Sequence, residues 1–383
     1  MKNKQNLKYF LTILVSLILI SCSSEKEVLL EDLYEGDDYL FYKKKSDIPY
    51  TGIAVSYHKK EQIFSKKQLS SFTNILSGKI EGVVEYYHSN GALESKWPYV
   101  DNKVEGVVEY YDSNGALRSI WPYIDNKVEG VVEIYNQYGV LRQKKFIING
   151  MQESAEFYDE YETLSRIEKY TNEKNIYSET YSQRGDLLSI KNFNEDGKYD
   201  GLVTKYERVY CDSNSGFLCS DRLNKKFVTT YKNGIAHGDA KVMRGFYNEF
   251  KNRTQDDSNP WYTKSANFVN GIIDGQVTTI QRSMNTDWSK SLVTCKNGKA
   301  NGPSKSYFSD GRLNRVSEWK DNKRHGVFID YSWAHDHHIN YSETWIDGAF
   351  RSCDHRAPFS RCDGSKSGFE EFKTCAASSA EDL

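Results

Sequence analysis

The sequence predicts an all-β protein, an elongated single-layered antiparallel meander sheet built from hairpin repeats of about 24 residues. Three near-identical segments follow one another and begin at Ser77, Asp101 and Asp125. Their glycines recur every 24 residues, at Gly82, Gly106 and Gly130. A fixed period in this range indicates a repeat architecture. The composition agrees, because 28 tyrosines and 7 tryptophans accompany a hydrophobic content of 38%, which suits a thin sheet without a thick core.

Each repeat has the pattern of a β-hairpin. Residues 106–111 are β-branched and aromatic, residues 112–115 are turn formers, and residues 116–123 form a second strand. No helix-length segment separates the strands, so consecutive strands should pair antiparallel, and each repeat should widen the sheet by roughly 9 to 10 Å. Pro98 and Pro122 fall within second strands. Because proline cannot donate to the ladder, they predict a bulge or an early strand end.

Weaker copies of the repeat extend the predicted sheet over residues 46–350. A first unit is expected at Gly52, and later units are marked by polar turns followed by Gly201, Gly238, Gly275, Gly302 and Gly326. Together they make about eleven units. Two longer steps, of 37 residues each, end at Gly238 and Gly275. They indicate insertions, which fall in loops.

The order Asn-Gly-Lys, Gly, Tyr-Tyr, Asn-Gly and Leu resembles the bacterial MORN-repeat variant, a group that includes YwqK-type antitoxins. The resemblance covers most of residues 46–350 and is strongest over residues 77–148. It implies an elongated, single-layered antiparallel β-sheet. More loosely, it implies membrane association, partner binding or neutralisation of a toxin. A fold does not by itself determine a function.

The amino terminus has the pattern of an export signal. Three lysines precede an apolar run over residues 10–20 that is too short for a comfortable membrane span. The string Leu-Ile-Ser-Cys at residues 19–22 resembles a bacterial lipobox. This implies a lipoprotein signal peptide over residues 1–21, with Ser21 the last residue removed and Cys22 the lipid-carrying residue. The alternative is an ordinary cleaved signal or a short anchor. Ser23, in place of an aspartate, resembles the outer-membrane sorting pattern of Gram-negative cells, so the protein is expected in the cell envelope, facing the periplasm or the surface.

Residues 22–45 are predicted to be an acidic tether between lipid and sheet. Seven acidic residues lie between residues 25 and 38, and such a run is typical of solvated chain. Alternatively, Leu29, Leu30 and Leu33 could form a short helix.

Cysteine usage agrees with export. Without Cys22, six of the seven cysteines remain, which allows up to three disulfides and fifteen pairings. The candidates are Cys211, Cys219, Cys295, Cys353, Cys362 and Cys375. The favoured pairs are Cys211 with Cys219, across a polar hairpin tip, and Cys353 with Cys362. Residues 351–383 are predicted to be a cysteine-containing C-terminal cap and tail, frayed beyond Cys375.

Charge and motifs limit the function classes. Loss of residues 1–21 removes three lysines and no acidic residue, which takes the formal net charge from −2 to −5. This does not favour nucleic-acid binding. The sequence lacks the common catalytic motifs, and repeats leave no room for a separate catalytic domain, so we expect a non-enzymatic protein without a cofactor. One segment could bind a transition metal through His335 and His337; the alternative is a polar hairpin tip.

Recurring aromatic residues form the candidate binding surface. The predicted aromatic face consists of Tyr87, Tyr111, Tyr135, Trp97 and Trp121. Such rings can replace a core in a thin sheet or bind a protein partner or a glycan. The sequence therefore favours a lipid-anchored, non-catalytic scaffold that binds a protein or envelope component. The alternatives are an immunity or antitoxin protein and a carbohydrate-binding protein.

Overall fold

Strands and the turns between them make up almost all of the computed structural model, which describes residues 27–59, 68–208, 223–244, 262–282, 288–334, 338–355, 375–379 and 381–383. The predicted all-β antiparallel meander is confirmed. In these residues the only helical segment is a 3-10 turn at Leu30–Asp32. None of their helices is long and apolar enough to cross a membrane. The chain divides into an N-terminal unit, residues 1–162, and a C-terminal unit, residues 163–383.

The N-terminal unit contains the three near-identical repeats. Its strands are β1 (Val28–Leu29), β2 (Leu33–Glu35), β3 (Phe41–Lys43), β4 (Gly52–Tyr57), β5 (Leu69–Leu76), β6 (Lys79–Ile80), β7 (Gly82–Tyr87), β8 (Leu93–Val100), β9 (Lys103–Val104), β10 (Gly106–Tyr111), β11 (Leu117–Ile124), β12 (Lys127–Val128), β13 (Gly130–Tyr135), β14 (Leu141–Ile148) and β15 (Met151–Tyr158). From β4 onwards the long strands pair antiparallel in chain order, and the short strands β6, β9 and β12 each pair with the end of the preceding long strand.

The C-terminal unit continues the same plan with longer strands. They are β16 (Leu164–Thr171), β17 (Lys174–Tyr181), β18 (Leu187–Asn192), β19 (Gly201–Arg208), β20 (Leu223–Lys232), β21 (Ile235–Arg244), β22 (Tyr262–Val269), β23 (Ile272–Ile273), β24 (Gly275–Arg282), β25 (Trp288–Lys296), β26 (Lys299–Tyr307), β27 (Leu313–Lys320), β28 (Lys323–Arg324), β29 (Gly326–Tyr331), β30 (Ile339–Ile346) and β31 (Ala349–His355). All their pairings are antiparallel. The last strand runs past residue 350, where the sequence places the end of the repeats.

The glycine that marks each repeat lies at an interruption of the ladder. In β8, Tyr99 pairs with Val104 of β9, and Lys96 pairs with Glu109 of β10. Between these two pairs β8 has a step of three residues, whereas the opposite chain from β9 to β10 has a step of five. The extra residues lie opposite Pro98, which is where the sequence predicts a bulge. Gly106 has a φ of 115°, and a Cβ there would lie 3.2 Å from Pro98 Cγ. Only glycine combines that dihedral with so close an approach.

Residues 27–45 pack on the first repeat, which differs from the tether expected there. Strand β1 pairs parallel with β4, and β2 pairs with β3 in a separate hairpin. The Leu33 side chain is buried with Tyr50, Ala54 and Ile75. Burial of the Leu33 side chain favours an ordered segment. The acidic side chains of the segment can remain in water at the same time. The leucines of this segment form no helix beyond the 3-10 turn.

The C-terminal segment is also held, in contrast to the frayed tail that the sequence predicts. Cys375 is fully buried and forms a disulfide with Cys295, 80 residues earlier. Cys353 is disulfide-bonded as well. The favoured pairs Cys211 with Cys219 and Cys353 with Cys362 include undescribed residues and stay predictions.

Candidate functional site: the aromatic surface around Trp97

Strand register decides which side chains share a face of the N-terminal unit. Trp97 lies directly opposite Val84, and Lys96 lies opposite Glu85. Because neighbouring residues of a strand point to opposite faces, these two pairs mark the two sides of the sheet. We call the side with Val84 and Trp97 the tryptophan face and the side with Glu85 and Lys96 the glutamate face.

Trp97 lies at the centre of an aromatic group on the tryptophan face. Its ring meets that of Tyr110 edge-on, with centroids 5.7 Å apart, and lies 6.0 Å from that of Tyr123. Its indole N–H donates to Ser95 Oγ over 3.0 Å. Trp97 is half-buried, so its ring both covers the strand below and faces solvent. Edge-on rings and a paired indole N–H fix its orientation.

Buried valines lie opposite the tryptophans on the neighbouring strands. The residues two positions after the repeat glycines are buried: Val84 is 2% exposed, and Val108 and Val132 are 0% exposed. Burial of such a side chain contributes about 1.5 to 3 kcal/mol. Trp97 and Trp121, which lie opposite Val84 and Val108, thus take part in the apolar packing of these repeats.

Three tyrosines of this face have hydroxyls whose neutral form is favoured by burial. Burial raises the pKa of Tyr86, Tyr99 and Tyr110 above the ordinary value. The electrostatic interaction with the nearby Tyr123 hydroxyl also raises the pKa of Tyr99 and of Tyr110. We define the Trp97 cluster as Trp97, Tyr86, Tyr99, Tyr110 and Tyr123. It offers flat rings with hydroxyls at their edges, an arrangement that suits binding.

The predicted aromatic face is divided between the two sides of the sheet. Tyr87, Tyr111 and Tyr135 lie on the glutamate face, where their hydroxyls donate to Glu85 (2.5 Å), Glu109 (2.7 Å) and Glu133 (2.5 Å). Trp97 and Trp121 lie on the opposite face. The interpretation that these five residues form one surface is therefore corrected. The reason is the hairpin register, which sets Trp97 opposite Val84 instead of beside Tyr87.

The glutamate face is charged and internally paired. Glu133 also forms an ion pair with Lys144 at 3.2 Å, and the Tyr135 hydroxyl and Lys144 together lower the pKa of its carboxyl. Carboxylates with such partners are poor candidates for binding a further ligand, because the new contact must replace existing ones.

Seven further predicted site residues lie in parts of the chain that the structure does not describe. Ser21, Cys22, Cys211, Cys219, Cys362, His335 and His337 lie outside the described residues. Within those that are described, no group of three or more His, Cys, Asp or Glu side chains is arranged to hold a metal. The lipid anchor and the histidine metal site stay predictions.

Sequence reasoning missed the tyrosines of the Trp97 cluster. The signal was the doublet Tyr-Tyr at residues 86–87 and 110–111, because adjacent strand residues point to opposite faces. One tyrosine of each doublet joins Trp97, and the other joins a glutamate. The string Trp-Pro-Tyr likewise puts Trp97 and Tyr99 on one face.

The same hairpins are identified by comparison with known proteins. A family model described as MORN repeat variant matches residues 80–101 and 104–125, which span strands from β6 to β11. No curated protein sequence matches the chain. The matched residues contain the repeat glycines Gly82 and Gly106 and all the rings of the Trp97 cluster. The chain therefore contains MORN repeat variants, at residues 80–101 and 104–125.

Proposed function

We propose that this chain is a non-catalytic, lipid-anchored scaffold of the cell envelope that binds a protein partner through the Trp97 cluster. The MORN repeats suggest a repeat scaffold. The observation that carries the binding proposal is the half-exposed Trp97 ring with its surrounding tyrosines. Tryptophan and tyrosine are the residues most enriched at binding hot spots, and Tyr86 is 39% exposed at the margin of the cluster.

The lipid anchor is supported by the sequence at residues 19–22 and by where the sheet begins. Strand β1 starts at Val28, six residues after Cys22, and extended chain spans at most about 3.6 Å per residue. A lipid on Cys22 would therefore hold the first repeats close to the membrane surface. We expect a Cys22→Ala variant to move from the membrane to the soluble fraction of cells. Recovery of this variant in the membrane fraction, alongside a Ser23→Ala control, would exclude the anchor.

The binding surface can be tested by site-specific crosslinking in cells. Tyr86 and Val83 lie on the same strand with similar exposure, 39% and 41%, but on opposite faces. A photo-reactive phenylalanine analogue at residue 86 should crosslink to a partner, and the same analogue at residue 83 should not. A Trp97→Ala substitution should remove the crosslink at residue 86. Equal crosslinking from both positions, or from residue 83 alone, would refute this surface.

Glycan binding is the second candidate, because the Trp97 cluster combines flat rings with neutral hydroxyls. Purified protein would be incubated with peptidoglycan and with a glycan array. Retention that is lost in the Trp97→Ala variant would support a glycan ligand, whereas equal retention of both proteins would exclude this site.

A further inference from the structure

The tryptophan row of the N-terminal unit is replaced by small residues in the C-terminal unit. Val84 lies opposite Trp97. At the matching positions, two residues after Gly238 and Gly275, Ala240 lies opposite Ala266 and Val277 opposite Val293. These four side chains are 1 to 6% exposed. Small residues leave room above the strands for other parts of the chain to pack.

The strap, which we define as residues 375–379 and 381–383, belongs to the same apolar cluster as these small residues. The buried Cys375 and Ala377 belong to one apolar cluster with Ala266 and Val293. Leu383 packs against the same cluster. We call the row of Ala240, Ala266, Val277 and Val293 with its neighbour Thr229 the trough. The two buried side chains at the start of the strap, those of Cys375 and Ala377, are small. Their size is similar to that of the residues in the trough.

The strap is fixed at both ends. At one end Cys375 is bonded to Cys295 of β25. At the other end Glu381 forms an ion pair with Lys205 of β19. Burial acts to lower the pKa of Lys205, but the interactions with Glu381 outweigh it and the pKa is raised. Lys205 lies opposite Phe227, two residues from Thr229, and so it lies on the trough side of the sheet. The strap thus crosses from β25 to β19.

The shape of the strap is set by its own polar residues. Asp382 accepts hydrogen bonds from the Ser378 backbone N–H (3.0 Å) and from the Ser378 hydroxyl (2.5 Å). These bonds lie within the strap, so a detached peptide of the same sequence can form them too. The trough itself presents small apolar side chains, and Lys205 on the same side pairs with an acidic residue of the strap.

We propose that the trough is a peptide-binding site for segments with small apolar residues followed by a carboxylate, and that the strap is its resident occupant, held by the Cys295–Cys375 disulfide. The occupant of a chain that lacks this bond can be exchanged for a peptide of the strap sequence. Both sulfurs are buried, so the bond retains the strap in the oxidised chain. The trough is in the C-terminal unit, and the proposal is independent of the Trp97 cluster.

Disulfide exchange on the full chain tests this site. The Cys375→Ser variant leaves Cys295 as a free thiol. The probe is the nine-residue peptide of residues 375–383 with its cysteine activated as a 2-thiopyridyl disulfide. The Cys295 thiolate attacks the peptide sulfur, a new disulfide forms, and pyridine-2-thione leaves and is read by absorbance. Peptide mass mapping confirms that Cys295 has reacted.

A shuffled peptide with the same activated cysteine is the control. We expect the strap peptide to react about tenfold faster, because burial of one aliphatic side chain changes an equilibrium by that order. A Lys205→Glu substitution should reduce the advantage about threefold, since the ion pair is partly exposed. Equal rates for the strap and shuffled peptides would overturn the proposal.

A second variant tests the trough with the disulfide intact. Ala266→Trp supplies the indole that the N-terminal unit has at this position, and it should displace residues 376–383 and increase their amide hydrogen exchange. Ser265→Trp, on the other face of β22, is the matched control and should not. Unchanged exchange in the Ala266→Trp chain would show that the strap does not occupy the trough.

Discussion

Tyrosine has two distinct roles in this sheet, and adjacent residues show both. Tyr86 turns to the tryptophan face, where its ring supports the Trp97 cluster. Tyr87 turns to the glutamate face and donates its hydroxyl to Glu85. The same pair of roles recurs at Tyr110 and Tyr111. A thin sheet gains from this arrangement, because each ring covers apolar surface while each hydroxyl keeps a polar partner or water.

The tyrosine–glutamate bond predicts a specific pH dependence. The hydrogen bond to Glu85, with burial, raises the pKa of Tyr87 from 10.0 to about 12. The folded chain therefore retains this proton between pH 10 and 12 while the unfolded chain loses it. The contribution of the bond to stability is complete below pH 10 and is lost as pH rises towards 12.

A glutamine substitution tests this assignment. Glu85→Gln removes the charge that favours the protonated hydroxyl, so the pKa of Tyr87 should fall towards 10.0. NMR of ¹³C-labelled tyrosine would follow the titration, with Glu94→Gln as the control. A Tyr87 pKa that is the same in both variants would contradict the assignment.

The turns that contain Asn102 and Asn126 are each docked on the repeat before them. Asp125 and Asn126 both have positive φ, 50° and 66°, as a two-residue hairpin turn requires. Asn126 Oδ1 accepts from the Val104 N–H at 2.7 Å, and the Asn126 N–H donates to the Val104 carbonyl at 3.1 Å. Asn102 makes the same two bonds to Ile80. The turn asparagine thus joins successive repeats as well as reversing the chain.

Two substitutions separate these roles of Asn126. Asn126→Gly keeps the positive φ but leaves the N–H of the buried Val104 without its acceptor, and we expect a loss of about 1 to 3 kcal/mol in the free energy of unfolding. Asn126→Asp keeps an acceptor and tolerates the same backbone, so it should stay within about 0.5 kcal/mol of the parent. Urea denaturation measures both. Equal stability of the two variants would show that the docking bond is unimportant.

At the scale of the molecule, the sequence was sufficient where structure depends on neighbours in the chain. The repeat period, the hairpins and the bulge near Pro98 follow from residues within about one repeat of each other. The strap and residues 27–45 could not be predicted, because Cys375 and Leu33 find their partners only once distant strands are side by side. The division of Tyr87 and Trp97 between faces required the hairpin register, which repeat spacing alone does not supply.

The pairing of successive repeats is the claim on which the Trp97 cluster depends. Lys96 of β8 and Glu109 of β10 lie opposite each other on the glutamate face. Paired residues have Cα atoms about 4.5 to 5.5 Å apart, within the range that a disulfide spans. Ser95 points to the other face, so a cysteine there cannot reach residue 109.

The most direct test is oxidation of two double-cysteine chains, Lys96→Cys with Glu109→Cys and Ser95→Cys with Glu109→Cys, followed by mass mapping. The first pair should form an intramolecular disulfide and the second should not. A crosslink in the second pair without one in the first would mean that the register is shifted by one residue, which would exchange the two faces and remove the Trp97 cluster from the surface assigned to it.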